Sequence, residues 1–170
     1  MTRTAAWAAV AAGLAFAAVA PADDLTFLKY SSAAGRFTIE APAAVKESSE
    51  VLRNGVTYNK FSAAVSDTLV FMGGYFDDPT GIGGKDPQQV MKAFRSGTRQ
   101  GAKITADREV TGPNNIPGRD YRTETQGVFI RERMFVSGTR FYRLIVVSTK
   151  EANVTGKDAD RFFDSFQLTR

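Results

Sequence analysis

The sequence predicts an α+β domain whose sheet is antiparallel. Three observations lead there: segments that alternate bulky and polar residues, a hairpin signal at Asn54-Gly55, and two windows, near 87–101 and 158–168, whose apolar residues recur at helical spacing.

Taken in chain order, Thr26 to Tyr30 and Arg36 to Glu40 alternate around Ala33-Ala34-Gly35, as a half-buried strand pair does, and Pro42 ends the second. Asn54-Gly55 suits a type I′ turn, which needs positive φ at both central positions, so strands flank it. Thr68 to Phe76 is a continuous apolar run with too few polar residues for an edge, and reads as a central strand buried on both faces. A loop of Asp, Pro and Gly follows from Asp77 to Lys85. Asp86 can then cap a helix, Pro87 suits its first position and Gln89 completes a capping box. That helix runs to about Gly101, with Val90, Phe94, Gly97 and Gly101 on one side, where the glycines imply close packing on the sheet.

The remainder is mostly strand. Lys103 to Val110 leads through a turn-rich loop to Arg119–Gln126, Phe129–Val136 and Arg140–Thr149. Two hairpins join the last three: a type II′ turn at Gly127-Val128 that sets Glu124 opposite Arg131, and a tight turn at Ser137-Gly138 that sets Glu132 opposite Arg143. A one-residue slip in the first would place Arg122 against Arg131, and charge argues against it. Asp158 can cap a final helix that carries Phe162, Phe163 and Phe166, with Leu168 beyond it.

The 170 residues suit one domain, and 43% hydrophobic with 24% charged residues is ordinary for a globular chain, unlike a disordered, collagen-like or multi-span membrane protein. Residues 1–22 read as a secretory signal: Arg3 is the positive n-region, Ala5 to Ala20 the apolar stretch, and Ala20-Pro21-Ala22 a small-residue cleavage site. The run is short for a spanning helix, so the expectation is a single domain over 23–170, periplasmic or secreted, with no membrane span after cleavage. The chain has no cysteine and no histidine. That excludes a thiolate nucleophile, a disulfide framework, a cysteine-attached lipid anchor, a Cys/His zinc site and an imidazole base. Apolar burial alone must stabilise the fold.

Four segments carry a resemblance: Pro117-Gly118-Arg119-Asp120-Tyr121, Arg131-Glu132-Arg133-Met134-Phe135-Val136, Arg140-Phe141-Tyr142-Arg143-Leu144 and Phe163-Asp164-Ser165-Phe166. Together they resemble the PsbP-like superfamily, which includes the extrinsic PsbP proteins of photosynthetic oxygen evolution, a nuclear import factor that binds the Ran GTPase, and small exported bacterial proteins of unknown role. The likeness is best over 117–168 and extends back to about 26. It implies an antiparallel sheet with helices on both faces, an α/β/α sandwich, and binding or assembly rather than catalysis. Fold alone does not fix function.

Constellations that could carry chemistry are few. Gly81-Ile82-Gly83-Gly84-Lys85 lacks the first glycine and the final Ser/Thr of a phosphate loop. Asp77, Asp78 and Asp86 lack the spacing of an EF-hand, while Asp158, Asp160 and Asp164 complement a helix N-terminus. Glu124 and Glu132 face opposite sides of the sheet with an arginine each, and Tyr121 and Ser165 have no histidine base. The most suggestive feature is basic and aromatic: Arg119, Tyr121, Arg122, Arg131, Arg133 and Tyr142 on adjacent strands form a candidate oxyanion-binding surface, unless a helix covers it. The expectation is a monomeric, non-catalytic module without cofactor or metal, which binds a protein partner or an anionic envelope component and not nucleic acid. The alternatives are a carboxylate- and tyrosine-based hydrolase or lyase in a sheet-helix cleft, and a small-ligand carrier, which calls for a closed apolar cavity.

Overall fold

A computed structural model describes residues 25–52, 54–98 and 101–169; the expected leader at 1–22 lies outside them. The chain opens with β1 (Leu28–Ser32), β2 (Phe37–Ala41), β3 (Lys46–Val51), β4 (Thr57–Ser66) and β5 (Leu69–Asp77), followed by helix α1 (Pro87–Thr98). Then come β6 (Lys103–Thr111), a 3-10 turn at Pro113–Asn115, β7 (Pro117–Thr125), β8 (Val128–Ser137), β9 (Arg140–Ser148), α2 (Glu151–Thr155), α3 (Lys157–Asp164) and β10 (Gln167–Leu168).

Seven strands form one antiparallel sheet in the order β3-β4-β5-β9-β8-β7-β6. The apolar run read as a central strand is β5, flanked by β4 and β9. A second sheet, β1-β2-β10, joins the two ends of the described chain, with Phe37 of β2 opposite Leu168 of β10.

This corrects the α/β/α sandwich. The chain is mostly antiparallel strand in two sheets and has little helix. On one face of the large sheet, β2 and the short α2–α3 pair share the covering: Phe37 and Ile39 of β2 join Phe71, Phe162, Phe163 and Phe166 in one core cluster. On the other face α1 brings Met91, with Val90 and Phe94, onto Tyr121, Met134 and Phe141, and Ile82 of the loop before it joins the same cluster. The reason is one of width. Seven strands at about 4.8 Å spacing span roughly 30 Å, whereas a helix with its side chains is about 10 Å across. A second sheet supplies the apolar area that helices of 5 and 8 residues lack.

Both hairpins sit in a different register from the one charge suggests. The first turn is Gln126-Gly127, with φ of 49° and 75°, the left-handed pair of a type I′ turn. Thr125 therefore faces Val128, and Arg122 faces Arg131. The like charges coexist because Arg131 is already neutralised by aspartates. In the second hairpin Ser137 faces Arg140 and Gly138 takes φ 62°, so Glu132 lies opposite Ile145. Arg143 still reaches Glu132 on the diagonal, its Nε donating to Oε1 at 2.5 Å. At Asn54-Gly55 the strands flank the turn as expected, but only Gly55 (φ 81°) has positive φ, and its N–H donates to the Leu52 carbonyl at 2.9 Å.

Helix α1 starts as its sequence indicates, with Asp86 Oδ1 accepting from the Gln88 N–H at 2.9 Å. Gly101 follows its end with φ 86°, and a Cβ there would meet nothing within 4 Å. That glycine serves the chain reversal, not close packing; the surroundings of Gly97 lie outside the described side chains. Helix α3 begins after Gly156, with no side-chain cap, and Asp158 sits inside its first turn.

Candidate functional site

Strand alternation divides the six candidate residues between two faces. Arg122, Arg131, Arg133 and Tyr142 point to the α3 side, while Arg119 and Tyr121 point to the α1 side.

The α3 side is organised by Asp120, which is 1% exposed. Arg131 donates to it from Nε at 3.3 Å and Nη2 at 3.1 Å, and Arg133 from Nη2 at 3.1 Å. Arg108 of β6 approaches the same carboxylate at 3.4 Å. The remaining donors point up to the helix: Arg131 Nη1 to Asp160 at 2.6 Å and Arg133 Nη1 to Asp164 at 2.8 Å. Both guanidinia also lie over the Phe163 ring, 4.8 and 5.0 Å from its centroid. Burial alone would raise the Asp120 pKa, but the guanidinia outweigh it and hold the carboxyl below its usual range. Three arginines thus balance three aspartates. Arg122, half-buried beside them, adds a further positive charge on the same side, and the Arg108 side chain is 58% exposed at the rim.

On the α1 side, Arg119 Nε donates to Asp107 at 2.7 Å, and its Nη1 to Gln88 of α1 at 3.0 Å and Glu109 at 3.2 Å. The guanidinia of Arg95 and Arg119 approach the Tyr121 ring at 5.0 and 5.6 Å. Tyr121 is 1% exposed, and its hydroxyl has no hydrogen-bond partner among the described residues. Burial pushes its pKa up. Tyr142 belongs to the core, where its hydroxyl donates to the Gly35 carbonyl at 3.0 Å. No single cleft gathers the six residues: α3 lies over one group and α1 over the other.

Glu124 lies opposite Phe129 and not Arg131, and the loop aspartates are engaged locally. Asp77 pairs with Arg140 at 2.6 Å, and that contact holds its carboxyl below the usual range. Asp78 accepts from the Gly81 N–H at 2.6 Å, and Asp86 caps α1. Among the described residues no group of three acidic side chains is placed to hold a metal ion. Sequence reasoning missed Arg108 and the anchoring role of Asp120. The signal available was the odd-even alternation along β7, which sets Asp120 on the Arg131 side and Arg119 on the other.

Between α1 and the loop before it lies a groove of about 480 Å³, lined by Phe76, Ile82, Val90, Phe94 and Phe141 with Asp78 and Lys85 among its polar members. Its aromatic floor is continuous, with Phe76 and Phe141 ring centroids 5.1 Å apart and Phe94 and Phe141 4.7 Å apart.

No protein-family model matches the sequence, and no curated protein matches it by sequence. Among solved structures, the chain is similar to cyanobacterial PsbP (CyanoP) from Synechocystis sp. PCC 6803, at TM-score 0.57 and 10% identity over 89% of this chain and 98% of that one. A second match is a protein of unknown function from Pseudomonas aeruginosa, PA94, described as a putative regulator, at TM-score 0.41 and 12% identity over 79% and 90% of the two chains. At this identity the first likeness speaks to architecture only: the chain has a PsbP-like fold.

Proposed function

We propose that the chain is an exported, non-catalytic binding module, and that its partner is a protein or an anionic component of the cell envelope. The observation that carries this reading is the state of the buried acidic groups. Asp120 is enclosed by arginines and held below the usual carboxyl range, and Glu132 is bound to Arg143 at 2.5 and 3.1 Å. A general acid needs the opposite shift, from burial without a cationic partner. Binding falls to the rim of the arginine layer, where Arg108 and Arg122 flank Asp120 on the α3 side. Paired guanidinia there suit carboxylate or phosphate oxygens.

Capture from an envelope extract, with the Arg108→Glu/Arg122→Glu chain as control, tests the proposal. The expected result is one component retained by the native chain and at least tenfold less by the control. Equal recovery by both would remove the rim from the argument, and turnover of a substrate that requires Asp120 or Glu132 would overturn the non-catalytic reading.

The groove beside α1 is open and not a closed cavity, but its aromatic floor supports a second reading, a small-ligand carrier. Saturable uptake of an apolar fluorescent probe, abolished by Phe94→Asp, is its expected signature.

A further inference from the structure

The large sheet ends on two edges that differ in kind. At one edge β6 carries a bulge between Ile104 and Ala106, a device that keeps an edge from pairing further. At the other, β3 pairs with β4 in an unbroken register from Lys46↔Ser62 to Val51↔Thr57. All six of its residues are exposed, and Val51 is 72% so. Strand β3 ends the sheet order, and among the described residues no strand pairs with its outer side.

The charges on β3 select a partner. If a second copy pairs antiparallel along this edge about a two-fold axis, the axis stands perpendicular to the sheet. Facing residues must then share a side, so their numbers differ by an even amount. Centring on Glu47 sets that carboxylate against its own copy. Centring on Ser49 leaves every charge without an opposite. Centring on Ser48 places Lys46 against Glu50 twice, Glu47 against Ser49 twice, and Val51 against the residue that precedes the partner's strand, Val45. Lys46 and Glu50 lie on the side where Glu50 already meets Lys60 at 2.7 Å, so each new pair extends an ion pair into a network. Glu47 points to the other side, where its carboxylate accepts from the Tyr30 hydroxyl at 3.0 Å.

We infer that β3 is a self-association edge, through which two copies join in the Ser48-centred register to make one fourteen-stranded antiparallel sheet. This departs from the monomer expected from the sequence, and it stands apart from the ligand reading above. One six-residue strand per copy buries less than a standard interface, so the dimer is weak and reversible.

Light scattering after size exclusion of the purified chain tests it. The mass is expected to rise toward twice the monomer value across the micromolar to millimolar range. Lys46→Glu alone gives like charges at 46 and 50, as does Glu50→Lys alone, so each should stay monomeric. An equimolar mixture of the two restores both opposite-charge pairs, and the dimer should return. Far-UV circular dichroism of each variant checks that an exposed substitution leaves the fold intact. A native chain that remains monomeric, variants that still dimerise, or a mixture that fails to pair would each overturn the inference; so would a monomer that takes up an unrelated extended peptide on β3.

Discussion

Tyr121 and Asp120 are neighbours in sequence and opposites in energetics. Asp120 gives up water and gains arginine donors on several sides, whereas the Tyr121 hydroxyl gives up water and gains no hydrogen bond among the described residues. A buried, unpaired polar group costs about 1–3 kcal/mol. Tyr121→Phe keeps the ring between the Arg95 and Arg119 guanidinia and removes that cost. It should raise stability by about 1 kcal/mol, read as a higher urea midpoint at unchanged slope. A lower midpoint would mean that the hydroxyl has a partner, such as a bound water. Alternation is what separates these two residues, and it was available from the sequence. What was not available is which side carries α3: that depends on Asp160 and Asp164, some forty positions later, meeting Arg131 and Arg133.

At the scale of elements, local signals were legible and long-range ones were not. Asp86-Pro87 opens α1, the apolar run of β5 lies inside the sheet, and Phe162, Phe163 and Phe166 enter the core, because each of these depends on a few adjacent residues. The hairpin registers escaped because pairwise charge arguments assume that cross-strand neighbours are each other's only partners. Arg122 can face Arg131 only because Asp120 and Asp160 lie within reach of Arg131 from other elements. The anchoring of α3 combines these ion pairs with ring packing, and the rings dominate. Phe162 is 0% exposed and meets Phe71 at 5.3 Å and Phe163 at 5.4 Å. Phe162→Ala should cost about 3–5 kcal/mol. Asp164→Asn, at an exposed carboxylate, should cost far less, and thermal melts of the two variants check the contrast.

For the molecule as a whole, the arginine layer sets the response to acid. The carboxyls of Asp120 and Asp77 are held below their usual range when folded. Their contribution to stability is therefore fully present above the unfolded pKa of about 3.9, and is lost as the pH falls through the lower folded values. Melting temperature should be level near neutrality and drop steeply below about pH 4. Asp120→Asn leaves three guanidinia around a neutral amide. It should lower stability at pH 7 by about 3 kcal/mol or more and flatten the acid slope. A variant that keeps the native slope would place the acid sensitivity elsewhere.

The small sheet has one more consequence, for the order in which the molecule assembles. Strand β2 is synthesised long before β10, yet β10 is its second neighbour, with Phe37 and Leu168 side by side. Ser165 repeats the link, its hydroxyl accepting from the Glu40 N–H at 2.9 Å. Closing so long a loop is entropically slow, and it cannot begin before Ser165 to Leu168 have been made. The aromatic core between the two sheets is thus completed late: a chain stalled before Ser165 would lack the Phe166 ring that packs 5.5 Å from Phe37.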